Sequence, residues 1–262
     1  MARYPAKEKY GAEDLLAIVR LLRDPVSGCP WDSVQTHRSI RKNFLEETCE
    51  ALEAIDADDP VLMREELGDV MMQVALHSCM EEERGHFDFD DVCDEVCRKL
   101  IYRHPHIFQP EENAAPGLND WDALKNREKG RSSLADEMAT VPATLPALMK
   151  AQKLQKRAAR YGAAADDAAA ARQELTRAQA ALEQALAQPV PGRAAGQPEA
   201  EPPALQAAGG FLFAAANWLR TAGIDAEEAL ALYSRAFALE RQTQPDAEQS
   251  SGVAACPDKT VG

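Results

Sequence analysis

Residues 45–77, LEETCEALEAIDADDPVLMREELGDVMMQVALH, decide the fold. Leu52 and Ile55, with Ile40 and Phe44 just upstream, recur at helical spacing and predict a helix from Thr36 to about Ala57. Leu62, Leu67, Val70, Met71, Val74 and Met80 predict a second helix running up to Gly85. Asp58-Asp59-Pro60 separates the two, since proline is welcome in a first helical turn. Antiparallel pairing of these helices is expected, with Ile40, Phe44, Leu52 and Ile55 facing inward.

The same periodicity extends in both directions. Leu15, Ile18, Val19 and Leu22 form a stripe that Asp24-Pro25 ends, and the loop DPVSGCPWDSVQ (24–35) carries the breakers Gly28 and Pro30. Val92, Val96 and Leu100 predict a helix from Phe89 to Arg103, stopped by His104-Pro105. No run alternates with the period of a strand, so the fold class is all-α, an antiparallel helical bundle. LPALMKAQKLQKRAARYG (145–162) predicts a further amphipathic helix, on which Lys150, Lys153, Lys156 and Arg157 read as a solvated basic face. Five prolines between Pro189 and Pro203, in alanine-rich surroundings, predict a flexible linker over about 186–206. A last helical pair is expected from FLFAAANWLRTAG (211–223) and from Asp225 to about Arg241, followed by a disordered polar tail, 243–262.

Composition narrows the function. The 262 residues are 45% hydrophobic, enough to bury a core, and only 6% aromatic, which favours helices over a β-sandwich. With 29 basic against 43 acidic residues, the net charge of −14 argues against nucleic-acid polymers and anionic membrane surfaces as partners. No stretch is apolar enough to span a bilayer, and MARYPAKEKYGAEDLL (1–16) lacks the apolar core of a secretory signal. Six scattered cysteines form no disulfide framework, so the cytoplasm is the expected compartment. Cys93 and Cys97 read as buried small hydrophobes rather than ligands for a soft metal.

The chemistry concentrates in the first two helices quoted. Glu47 and Glu50 lie three apart and share a helix face, as do Glu66 and Asp69. Residues 51–65 are enough to finish one helix, turn and return, so antiparallel packing brings the four carboxylates together. Buried together they need a compensating cation, and oxygen-only ligands select Mg²⁺ or Mn²⁺ over zinc. An EExxE run alone reads as solvated surface, as Glu81-Glu82-Glu83 is read here; the second acidic pair, leading into an apolar helix beside Gly68, is what lifts the motif above that reading. Lys99 and Arg103, one turn apart, suit phosphate oxygens. Trp121 and Lys125 offer a flat apolar surface beside a charge, as a nucleobase and a phosphate require.

GCPWD (28–32), LEETCE (45–50), EELGD (65–69), GHFDFDDV (85–92), KLIYRHPHIF (99–108) and LPALMKAQKLQKRAA (145–159), in this order, resemble MazG, the nucleoside triphosphate pyrophosphohydrolase family, over roughly residues 10–160. The resemblance implies an all-α homodimer that cleaves between the α- and β-phosphates with Mg²⁺, Mn²⁺ being the alternative ion, giving nucleoside monophosphate and pyrophosphate. It implies Glu47, Glu50, Glu66 and Asp69 as metal ligands, with Glu46 adjacent as a water-orienting carboxylate. Glu46 and Glu50 both stand as candidates for the general base. Lys99 and Arg103 are implied to hold the triphosphate, and Trp121 to lie near the nucleotide.

Longer relatives of that kind carry two copies of the domain. The expected organisation is therefore a MazG-like domain at 8–130, a connecting helix at 131–162 and a degenerate second copy at 163–242. In that copy Ala207 and Gly210 stand where the second acidic pair is expected, Glu174 is one acid where the first motif needs three, and Ala236 and Glu240 replace the Lys and Arg. It is expected to be catalytically dead. The competing reading is a catalytically weak or inactive helical module that binds nucleotide or a protein partner.

Overall fold

The computed structural model describes residues 4–108, 121–130, 133–187 and 202–243. The linker segment 188–201 and the tail beyond 243 lie outside the described residues. Every described regular element is helical: α1 (Ala12–Arg23), α2 (Arg41–Asp56), α3 (Pro60–Glu83), α4 (Phe89–Arg103), α5 (Pro105–Phe108), α6 (Trp121–Glu128), α7 (Leu134–Ala139), α8 (Ala147–Arg160), α9 (Ala168–Leu186), α10 (Pro203–Thr221) and α11 (Ala226–Thr243), with one 3₁₀ turn at Asp32–Val34. The chain divides into two compact units, Met1–Trp121 and Asp122–Gly262. No described helix is long and apolar enough to cross a membrane.

In the first unit, α2 and α3 form an antiparallel hairpin, α1 packs on α3, and α4 follows along α3. Their ends are chemically determined. Pro60 sits in the first turn of α3, and the Asp59 side chain accepts from the Val61 and Leu62 amides. Asp88 caps α4 by accepting from the Asp91 amide, while the Asp91 carboxylate accepts from the Asp88 amide. Between α2 and α3, Asp58 has φ 51, the left-handed conformation that closes a tight connection. The 24–35 loop is equally constrained. A Cβ on Gly28 would lie 2.5 Å from the Asp24 and Leu22 carbonyl oxygens, so no larger residue fits. Arg23, buried, donates to both Glu83 carboxylate oxygens (2.6 and 2.7 Å) and to the Asp32 and Gln35 carbonyls, fixing that loop to the end of α3.

The core lies at one end of the hairpin. Leu16, Val19, Ile40, Ala75, Leu76, Cys79 and Met80 form it, with Leu15, Met72 and Phe89 against its edge. Alanine governs the rest of the α2–α3 seam: Ala51 and Ala54 are buried, allowing close approach. Here the expected core needs correction. Phe44, Leu52 and Ile55 are exposed rather than inward, and the apolar positions Leu22, Leu67, Met71, Val96 and Leu100 are exposed as well. The buried cluster joins α1 to the part of α3 from Met72 to Met80, and the part of α3 before it stands outside that cluster. Pro60, Met63, Leu67, Val70, Met71 and Val74 line an open groove of about 690 Å³ there.

The second unit is built on α8, α9 and α10. The stretch 131–162 holds two helices, α7 and α8, rather than one connecting helix. Ala151, Ala216 and Ala226 form a small core with Leu148 and Leu219 against it. Gln152 ties α8 to α10 and α11 by donating to the Ala216 and Ile224 carbonyls and accepting from the Ala226 amide. Arg157 departs from the solvated basic face: it donates to the Glu137 carbonyl and the Thr140 hydroxyl, because α7 folds back onto α8. Residues 203–206, expected in the linker, open α10 with Pro203 in its first turn. Cys97 is exposed and Cys93 half-buried, so neither is the fully buried residue expected.

Candidate metal centre

The α2–α3 hairpin brings three of the expected ligands together. One carboxylate oxygen from each of Glu47, Glu66 and Asp69 lies within 4.8 Å of the others, and all three residues are half-buried. Glu47 shares its α2 face with Ala51 and Ala54 within about 60° at 100° per residue, so the small side chains that close the seam also place its carboxylate against α3. Glu50 is exposed and not among those three, yet its charge acts on both Glu47 and Glu66. Glu46 is exposed on α2.

Electrostatics make the arrangement self-repulsive. Burial, reinforced by Asp69, Glu50, Glu66 and Glu46, pushes the Glu47 carboxyl up. Burial followed by Glu50, Asp69 and Glu65 does the same to Glu66. A divalent cation relieves this repulsion, and an all-carboxylate set suits a hard ion. Gln73, one turn beyond Asp69 and only 3% exposed, has a side-chain oxygen that accepts no hydrogen bond among the described residues. A buried amide oxygen of this kind has room in its chemistry for an ordered water. The residues therefore fit the group they were expected to hold.

Lys99 and Arg103 lie one turn apart on α4, both half-buried, with Lys99 3.3 Å from Glu95. Lys125 is half-buried on α6; the Trp121 side chain lies outside the described residues.

One cluster escaped sequence reasoning. Glu81, expected to be solvated, is buried. His37 Nε2 lies 2.6 Å and His86 Nδ1 2.5 Å from its carboxylate, and Arg84 donates to it at 2.6 Å. His86, His37 and Arg84 hold its carboxyl down to about 2. Glu82 and Glu83 meet Arg20 and Arg23 from α1. The i, i+4 spacing of His77 and Glu81 was a usable signal; the arrival of His37 from 44 residues away was not.

Residues 35–108 match the MazG nucleotide pyrophosphohydrolase domain. The chain is 44% identical over 150 residues to a nucleoside triphosphate pyrophosphohydrolase of Escherichia coli (strain K12), covering 56% of this chain and 57% of that protein. It is 39% identical over 152 residues to the nucleoside triphosphate pyrophosphohydrolase/pyrophosphatase MazG of Thermotoga maritima, covering 57% of each. A nucleoside triphosphate pyrophosphohydrolase of Mycobacterium tuberculosis is 38% identical over 160 residues, covering 60% of this chain and 48% of that one. The chain thus spans about half the length of the curated relatives it matches. The matched segment, residues 35–108, contains the whole hairpin that gathers Glu47, Glu66 and Asp69, and it is this part of the chain that is similar to the MazG nucleotide pyrophosphohydrolase domain.

Proposed function

We propose that the protein hydrolyses nucleoside triphosphates to nucleoside monophosphate and pyrophosphate, with Mg²⁺, or Mn²⁺ in its place, held by Glu47, Glu66 and Asp69 together with Glu50. The observation that carries this reading is the convergence of three carboxylates on the α2–α3 seam within a segment that matches the MazG domain. The ion, when bound, neutralises phosphate charge and makes water more acidic. Glu50, whose charge reaches both Glu47 and Glu66, and Glu46 beside it are the two candidates to orient and deprotonate the attacking water. Lys99 and Arg103 bind phosphate oxygens, which requires Lys99 to exchange its Glu95 contact for substrate. Trp121 stacks on the base and Lys125 adds charge near the nucleotide. No side chain serves as a covalent nucleophile. The net charge of −14 supports a small-molecule substrate over a nucleic-acid polymer or a membrane, and the free cysteines support a cytoplasmic setting.

Product analysis tests the reaction directly. Incubating the protein with each NTP and Mg²⁺ is expected to yield NMP and pyrophosphate; NDP with orthophosphate, or no turnover, overturns the proposal.

The exposed apolar faces of α2, α3 and α4 support a homodimer formed through Leu52, Leu67, Met71 and Leu100. Light scattering is expected to report twice the chain mass of 28.6 kDa. Leu67→Arg is expected to shift the population to monomer, because an unpaired charge in a desolvated apolar interface costs several kcal/mol. A Leu67→Arg protein that stays dimeric removes this face from the interface.

A further inference from the structure

Glu66, Asp69, Gln73, His77 and Glu81 fall within an arc of about 120° on α3 at 100° per residue, so one polar stripe connects the acidic cluster to the histidine cluster. At its far end His37, in the turn before α2, meets His77 edge to edge, with ring centroids 4.9 Å apart and planes 5° from parallel. Their Nδ1 atoms lie 2.7 Å apart. Phe44 on α2 meets the His77 ring edge-on at 5.8 Å. We propose that the His37–His77 pair is an acid-sensitive latch that fastens the start of α2 to α3 and thereby sets how Glu47 meets Glu66 and Asp69.

The argument is one of counting protons. A bond between two ring nitrogens holds one proton, not two. Glu81 is ionised, so His37 Nε2 carries a proton and donates it to Glu81; His37 Nδ1 then accepts from His77 Nδ1–H. Both rings are neutral in this arrangement. One added proton is accommodated with the bond intact, since one Nδ1 still donates and the other still accepts. A second leaves both Nδ1 atoms protonated, so that two N–H groups face each other across 2.7 Å and two imidazolium rings repel. The bond then breaks, and the turn that leads into α2 loses its tie to α3.

The charged groups around the pair do not remove this limit. On α3 Glu81 already serves His37, and Arg84 at the helix end and His86 beyond it share the same carboxylate. From α1, Arg20 and Arg23 are engaged by Glu82 and Glu83; from α2 the neighbour is the uncharged Phe44 ring. Burial, and secondarily His37, lower the His77 pKa from 6.5, so folding favours its neutral ring. The folded state therefore binds fewer protons than the unfolded one, and the latch's stability is present above pH 6.5 and lost as pH falls below it.

Only the link to catalysis rests on the proposed pyrophosphohydrolase reading, so the test does not require turnover. Two-bond ¹H–¹⁵N spectra of the full chain, followed from about pH 8 to about pH 5, report the tautomer and charge of each ring. His37 is expected as the Nε2–H tautomer and His77 as Nδ1–H at the alkaline end, with the pair taking up its two protons in separate steps. Both rings titrating independently overturns the latch. Melting curves over the same range are expected to flatten in His77→Phe and to keep the wild-type slope in His86→Asn; parallel curves for wild type and His77→Phe overturn it. Should His77→Phe not fold, His37→Asn takes its place. For the link to the acidic cluster, thermal shift with Mn²⁺ alone gives the midpoint. On acidification this is expected to weaken on the order of tenfold more in wild type than in His77→Phe, the equivalent of one pKa unit. Equal weakening in both severs the latch from the site. A protein that fails to hydrolyse NTPs yet shows stepwise titration and the flattened curve retains the latch while losing the proposed reaction.

Discussion

Glu66→Ala and Asp69→Ala are each expected to lower kcat/KM for NTP hydrolysis by roughly 10²–10³-fold, because a bound divalent ion contributes several kcal/mol of charge stabilisation and each 1.4 kcal/mol is tenfold. Both side chains sit in the set whose oxygens lie within 4.8 Å of one another, so either deletion opens the cage. The two losses should not add, since either change alone releases the same ion. A second readout separates loss of the ion from loss of the fold. Removing either carboxylate relieves repulsion on Glu47, whose carboxyl is pushed up by burial and by both neighbours. Without metal the variants should therefore melt at or above the wild-type temperature, and added Mg²⁺ or Mn²⁺ should stabilise them less than it does wild type. Activity that survives both substitutions removes the proposed site. Glu46→Gln and Glu50→Gln then distinguish the two base candidates, the larger loss of kcat belonging to the residue that takes the proton.

Leu76→Ala is expected to destabilise the first unit by about 2–5 kcal/mol, the range for a buried leucine whose cavity does not collapse. Leu76 is 4% exposed within the cluster of Leu16, Val19, Ile40, Ala75, Cys79 and Met80. For a unit of this size each kcal/mol shifts the melting temperature by about 4–8 °C, so the fall should be unmistakable in a thermal scan. Leu52→Ala provides the contrast. Leu52 is 56% exposed in the single chain, so its truncation should barely change unfolding of the monomer and should act on self-association. Equal destabilisation by the two substitutions contradicts this division between core and exposed face.

That contrast also marks how far the sequence can be read. Apolar spacing and punctuation placed α4 at Phe89–Arg103 and began α3 at Pro60, because proline and the capping acids act within a single turn. The acidic pairs were legible for the same reason: residues three apart share a helix face whatever surrounds them. The assignment of Phe44, Leu52 and Ile55 to the core failed because periodicity shows that a face is apolar without showing what covers it. The reading of Glu81 as solvated failed because its partners, His37 and His86, come from outside its helix, and only the packing of the turn before α2 on α3 brings His37 there.

The connection between α2 and α3 carries an evolutionary consequence. Ala57, Asp58 and Asp59 are all that separate the two ligand-bearing helices, and Asp58 already spends its backbone in the left-handed region at φ 51. A span so short has no slack to absorb an extra residue. A one-residue insertion carried into the first turn of α3 rotates everything beyond it by about 100°, swinging Glu66 and Asp69 away from Glu47 while leaving every amino acid of the site intact. Point substitutions at Asp58 are therefore tolerable in a way that changes of length are not: in a lineage that keeps the site, the three-residue spacing acts as a reading frame for the hairpin, and insertions belong elsewhere in the chain.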